Sequence, residues 1–221
     1  MADVVEQVGF DVTEFAPGDE VFGYIRKDSA QFGAYAELVS AHVRLLAPKP
    51  AVLTWEEAAG IPLAGLTAYQ AIQRTGLQPH ETVLVHGAAG GVGSFGVQIA
   101  AALGARVIAT ASKRNHDFVR SPGAVPVTYG AGLRDRVREQ TPQGVDAAVD
   151  FVGGDAVDVS LELLDEPSQL ASVVDPEAAA KGGHYVWVRP DRADLAALAA
   201  LADDGRRRPT DRPSWPGAAP Q

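Results

Sequence analysis

The sequence has no cysteine in 221 residues. That excludes disulfides, Cys-ligated zinc, iron–sulfur clusters and thiol catalysis together. Positive charge is scarce: 19 Lys and Arg against 28 Asp and Glu leave a net charge of −9. A chain of that sign suits neither nucleic acid nor an anionic membrane surface, so neither is expected as a partner. The five histidines, His42, His80, His86, His116 and His184, lack metal-ligand spacing such as H-E-x-x-H, and no metal site is expected. The opening MADVVEQVGFDV has no basic stretch followed by an apolar core, so a cytoplasmic protein is expected. Long apolar runs are scarce too. Val83 to Ala105 is long enough to span a bilayer, yet it holds Gly87, Gly90, Gly91, Gly93, Gly96 and Gly104. A tight loop explains that clustering better than a membrane helix.

What is present is an ordinary globular apolar content of 46%. Residues 1–48 read as short strands and turns, with turn chemistry at Pro17-Gly18-Asp19 and strand-like runs in DEVFGY, GAYAELV and VRLLAPKP. These pieces are too few to close a β-domain alone. In TWEEAAG, Thr54 and Glu57 form a capping box, and the helix that follows runs to Gly76. Strands and helices then alternate. Strands are predicted at Thr82–His86, Arg106–Thr110, Val125–Tyr129, Val145–Val152, Gln169–Val174 and Tyr185–Val188. Helices are predicted at Val92–Leu103, Arg114–Arg120, Leu133–Gln140, Asp155–Leu164 and Asp191–Leu201. The alternation predicts an α/β fold, a parallel sheet with helices on both faces. Residues 205–221 are rich in Arg and Pro and read as a disordered tail.

The central motif is HGAAGGVG, His86 to Gly93, placed between an apolar strand and an amphipathic helix. Its spacing is A-x-G-x-x-G at Ala88, Gly90 and Gly93. Gly90 lets backbone approach a diphosphate, Gly93 lets helix pack on strand, and free N–H groups at the helix start attract phosphate. A glycine-rich turn without a ligand is the competing reading. The next strand weighs against it. Ser112 stands 19 residues beyond Gly93, where an NAD-preferring fold places an acid on the ribose 2′-hydroxyl. A hydroxyl followed by Lys113 and Arg114 suits a 2′-phosphate instead, so NADPH is expected over NADH. The alternative is a pair of solvated cations, although cations at a helix start oppose its dipole.

The stretches VVEQVGFDVTEFAPGDEVFGY, GAYAELV, EEAAGIPLAGLTAYQAI, ETVLVHGAAGGVGSFGVQIAAALGARVIATAS, GVDAAVDFVGG and GGHYVWVRPDRADLAALAAL occur in this order between Val4 and about Arg208. In that register the sequence resembles the zinc-independent medium-chain dehydrogenases/reductases, in the quinone oxidoreductase branch that includes ζ-crystallin. The resemblance implies a Rossmann-type NADP-binding domain over 49–204, preceded by a partial GroES-like β-domain over 1–48. It implies NADPH-dependent reduction of a quinone or an enone by hydride transfer. It also implies cofactor positions. Thr67 would face the nicotinamide end beside Tyr69, and Ala89, Gly90, Gly91, Val92 and Gly93 would hold the diphosphate. Ser112, Arg114 and Lys113 would meet the 2′-phosphate, Tyr129 the adenosine, and Val152 and Gly153 the crossing point at the sheet's carboxyl edge. Tyr69 is the candidate catalytic residue, orienting or protonating a substrate oxygen; a packed aromatic is the other reading. His86 is expected to hydrogen-bond the loop. A homodimer through His184–Val188 is implied, against the alternative of a covered internal strand.

The resemblance also implies strands before VVEQVG and a strand, helix and strand after LADDGR that this sequence does not show, so a chain truncated at both ends is expected. Three functions follow: an NADPH-dependent quinone or enone reductase impaired by truncation, a catalytically inactive NADPH-binding remnant or interaction module, and an enoyl-reductase fragment of a larger synthase.

Overall fold

A computed structural model describes residues 1–26 and 33–203. The Arg/Pro-rich segment 205–221 lies outside the described residues.

Near the N-terminus, β1 (Ala2–Val4), β2 (Glu20–Gly23) and β3 (Leu46–Pro48) form an antiparallel sheet in the order β1-β2-β3. The run GAYAELV forms no strand, contrary to expectation, and Tyr35 and Leu38 are exposed. Strand-forming residues need a ladder partner, and residues 33–39 pair with no described strand. The helix α1 (Trp55–Thr75) follows. The capping box is as read: Glu57 N–H donates to Thr54 Oγ1 at 3.3 Å, and Thr54 N–H donates to Glu57 Oε2 at 2.9 Å. Gly76 ends the helix at φ +72°, a conformation that glycine adopts without steric cost.

The larger sheet is parallel. Its strands are β4 (Thr82–His86), β5 (Arg106–Thr110), β6 (Val125–Val127), β7 (Ala147–Asp150), β8 (Leu170–Ser172) and β9 (His184–Tyr185). The order is β6-β5-β4-β7-β8-β9. Between and after them come α2 (Gly91–Ala102), α3 (His116–Arg120), α4 (Leu133–Gln140), α5 (Ala156–Leu161), α6 (Glu177–Ala180) and α7 (Arg192–Leu201). The pleat sorts side chains to two faces. Val83, Val85, Val107, Ala109, Ala147 and Val149 point to one core, shared with Leu66, Ile72, Ile99, Val119 and Leu195 of α1, α2, α3 and α7. The intervening Leu84, Ile108 and Ala148 point to the other, shared with Val137, Val157 and Ala178 of α4, α5 and α6. Helices therefore cover both faces, as the alternation predicts.

Several elements are shorter than the sequence suggests. The strand expected at Val145–Val152 stops at Asp150, because the Asp150 carboxylate takes the N–H groups of Val152 and Gly153 and turns the chain out of the ladder. The strand expected at Val125–Tyr129 stops at Val127, leaving Tyr129 exposed. The one expected at Gln169–Val174 is Leu170–Ser172, because Gln169 closes a 3₁₀ turn. The helix expected at Arg114–Arg120 opens as a 3₁₀ turn, Lys113–Asn115, and that at Asp155–Leu164 covers only Ala156–Leu161. The strand expected at Tyr185–Val188 is His184–Tyr185. It lies at the edge of the sheet, not inside it. Beyond it, Gln70 of α1 donates to the Arg189 carbonyl and accepts from Arg189 N–H, which draws the chain off the sheet.

Candidate functional site

The strand order places four loops side by side at the carboxyl edge of the parallel sheet. From one end they carry Tyr129 after β6, Ser112 after β5, the glycine loop after β4, and Val152–Gly153 after β7. Together they line a cleft of about 480 Å³. Of the expected cofactor residues, Ala89, Gly90, Ser112, Arg114, Tyr129, Val152 and Gly153 border it. Such an edge is where open α/β sheets bind ligands.

The glycine loop is tied down from β5. Gly87 N–H donates to Thr110 Oγ1 at 3.1 Å, and Ala88 N–H donates to the Thr110 carbonyl at 3.1 Å. Gly90 is the N-cap of α2 and offers no side-chain cap, so the N–H groups opening α2 have no side-chain partner there. Gly91, Val92 and Gly93 form that first turn and do not border the cleft themselves. A side chain at Gly93 is sterically excluded. Its Cβ would overlap the Gly87 carbonyl oxygen and lie 2.8 Å from Ala88 Cα. The helix start is thus pressed against the loop that would carry a diphosphate.

Ser112 supplies the test of fit for an adenosine phosphate. Its Oγ is buried and has no hydrogen-bond partner among the described residues. Although Ser112 is the N-cap of the 3₁₀ turn, its hydroxyl caps nothing. Leaving a buried hydroxyl unpaired costs about 1–3 kcal/mol. Arg114 is exposed on the same rim and in no ion pair among the described residues. A hydroxyl without a partner beside an unpaired guanidinium fits a phosphate monoester. Lys113, also exposed, does not border the cleft.

Besides Gly91, Val92, Gly93 and Lys113, two more expected residues, Thr67 and Tyr69, are off the cleft's lining. Thr67 is buried in α1, and its hydroxyl donates to the Leu63 carbonyl at 2.7 Å. Tyr69 is half-buried and packed against the main core. His86 borders the cleft but does not bond the loop, contrary to expectation. Its Nε2 lies 2.9 Å from Ser160 Oγ of α5. The Ser160 hydroxyl donates to the Ala156 carbonyl, so Nε2 carries the ring proton. Burial pushes the His86 imidazole down to about 4, with Asp150 and Asp155 pulling the other way, so the ring is neutral at pH 7. Sequence reasoning missed Thr110, Phe151 and Asp150. The apolar strand ends IAT and AAVD carried the signal, since a polar residue closing such a strand sits at the loop edge.

A larger depression, about 760 Å³, lies between α1 and the β9 edge. Gln70 on its lining is already engaged, donating to both Asp194 Oδ2 and the Arg189 backbone carbonyl. None of the expected site residues borders it.

Residues 91–181 match the zinc-binding dehydrogenase family ADH_zinc_N. The chain is 31% identical to the quinone oxidoreductase of Coxiella burnetii. It superposes on that structure with a TM-score of 0.78, covering 93% of this chain and 67% of that one. The chain belongs to the medium-chain dehydrogenase/reductase family. Two longer relatives extend the match. Polyketide synthase GfsB of Streptomyces halstedii is 37% identical over 227 residues, 96% of this chain and 4% of that protein. The chloroplastic NADPH-dependent alkenal/one oxidoreductase of Arabidopsis thaliana is 30% identical over 223 residues, 98% of this chain and 56% of that protein. This medium-chain dehydrogenase/reductase chain therefore spans between a twenty-fifth and about half the length of those relatives. Among the described residues, no group of three or more His, Asp or Glu side chains is placed to hold a metal ion. No described helix is long and apolar enough to cross a membrane.

Proposed function

We propose that the chain binds NADPH and reduces a quinone or an enone. The unpartnered, buried Ser112 hydroxyl beside Arg114, on the rim facing the glycine loop, carries this reading. Ser112 and Arg114 hold the 2′-phosphate, and the first turn of α2 meets the diphosphate with its N–H groups. Val152 and Gly153 border the end toward the nicotinamide. When bound, the reduced nicotinamide supplies a hydride. The protein's part is placement, and no proton-transferring side chain is required for the hydride step itself. The quinone oxidoreductase and alkenal/one oxidoreductase relatives support the acceptor class.

The test is to mix the chain with NADPH and a quinone or an enone and follow nicotinamide absorbance. Oxidation is expected; binding without oxidation assigns the chain to the inactive, NADPH-binding alternative. Arg114→Ala is expected to weaken NADPH about tenfold to a hundredfold, as loss of one charge-assisted contact does, and to leave NADH nearly unchanged. Equal loss for both coenzymes refutes the 2′-phosphate assignment.

The polyketide synthase match favours a second reading, an enoyl reductase within a larger synthase. Oxidation of NADPH by an enoyl thioester but not by quinones selects it. The exposed edge of β9 supports a homodimer, which light scattering would report as twice the chain mass.

A further inference from the structure

Asp150 is fully buried at the end of β7, and no described cation pairs with it. Its Oδ1 accepts from Val152 N–H and from Gly153 N–H, both at 2.9 Å. Its Oδ2 accepts from the Ser172 hydroxyl at 2.7 Å. Ser172, at the end of β8, is fully buried too, and its oxygen accepts from Val174 N–H at 3.2 Å and Asp175 N–H at 2.9 Å. One carboxylate and one hydroxyl thus collect four backbone donors from two adjacent loops at the carboxyl edge. A carboxylate without a cation is a costly way to fill a strand end, and apolar groups of the same size serve stability as well. What the pair supplies is position.

The position it sets is a wall of the cleft. Val152 stands against the glycine loop: a Cβ on Gly87 would lie 3.1 Å from Val152 Cβ. Phe151 lays its ring over Gly96 of α2, where a Cβ would lie 2.7 Å from the ring. Gly153 takes φ +77° and Gly154 φ +73°, so the chain there can reverse sharply once the carboxylate holds its N–H groups. Strand order makes the wall specific to one half of a dinucleotide. With the 2′-phosphate at Ser112 after β5 and the diphosphate over the loop after β4, the next loop outward is Val152–Gly153 after β7.

We propose that Asp150, paired with Ser172, is a positioning residue that fixes the Val152–Gly153 wall and thereby sets the affinity for the nicotinamide half of NADPH. This rests on the reading of the cleft as an NADPH site. Neither side chain borders the cleft; both act through the backbone of residues 152–153.

The experiment compares NADPH with adenosine 2′,5′-bisphosphate, which carries the 2′-phosphate and lacks the nicotinamide half, by equilibrium titration. Asp150→Asn keeps the volume and loses the acceptor for the Ser172 hydroxyl. It is expected to weaken NADPH about tenfold and the bisphosphate less than twofold. Ser172→Ala, which leaves the carboxylate in place, is expected to show the same split with a smaller loss, and it decides the matter if Asp150→Asn does not fold. Equal loss of both nucleotides means the pair only holds the fold together and overturns the proposal. Unchanged NADPH affinity in folded variants overturns it as well. A wild-type chain that binds neither nucleotide overturns the NADPH reading itself, and this inference with it; one that binds both leaves that reading standing whatever the variants do.

Discussion

The three-stranded sheet of residues 2–48 and the six-stranded sheet of residues 82–185 are held by different means. Among the described residues, the small sheet has its own cluster of three buried residues, Phe15, Val21 and Leu46. Its fully buried members, Phe22 and Ala47, belong instead to the main core. Helix α1 packs on β1 and β2, and α7 packs on β3. The large sheet is buried on both faces and provides both of its own cores. One region is a guest on a host's surface, and the other is the host. The cleft belongs to the host, since every described residue lining it lies between His86 and Ala156.

The comparison can be broken most directly at Gly93. Gly93→Ala drives a methyl into the Gly87 carbonyl and Ala88. It is expected to cut NADPH affinity by about a hundredfold or more, corresponding to about 3 kcal/mol, and to lower thermal stability. Circular dichroism and cofactor titration report both effects. Retained affinity would mean that the host's loop yields where its packing says it does not.

Phe22→Ala tests the guest's attachment. Truncating a buried phenylalanine typically costs about 3–5 kcal/mol. Because Phe22 is where the small sheet enters the main core, denaturant unfolding is expected to split, with the N-terminal region releasing before the parallel sheet. A single shifted transition would show that the two regions fold as one unit.

The third effect, felt only in acid, is a pH dependence seated in the host. Unfolded His86 titrates near 6.5, and folded His86 near 4. Between those values the unfolded chain binds a proton that the folded chain refuses. Stability therefore falls as pH drops from about 6.5 toward 4 and is insensitive to this group above 6.5. The loss is on the order of 3 kcal/mol. His86→Gln is expected to flatten that acid limb, measured as the denaturation midpoint against pH; an unaltered limb would place the effect on other groups.

Much of the host was legible. The bounds of β4, β5 and α4 and the capping box of α1 match their reading residue for residue, because they rest on local periodicity and hydrogen bonds reaching three residues. The guest was less so: GAYAELV has the composition of a strand and no partner among the described residues to make it one. In the site, Ser112 was found by its spacing from Gly93. GVDAAVDFVGG, however, offers two aspartates that look alike. Asp146 is exposed and accepts from Thr82 N–H, whereas Asp150 is buried beneath the cleft wall. Thr67 and Tyr69 were assigned through resemblance, and the fold keeps both off the cleft's lining.

By itself the sequence determined the alternation of strand and helix, the glycine loop, and the cation-bearing turn beyond β5, because each is a pattern among near neighbours along the chain. Tertiary structure decided the rest. Whether the Ser112 hydroxyl finds a partner, which histidine nitrogen keeps its proton, and which aspartate holds the wall all depend on atoms from strands far apart in sequence. Only the packed sheet brings those donors and acceptors within reach, and only burial makes an unmet one costly.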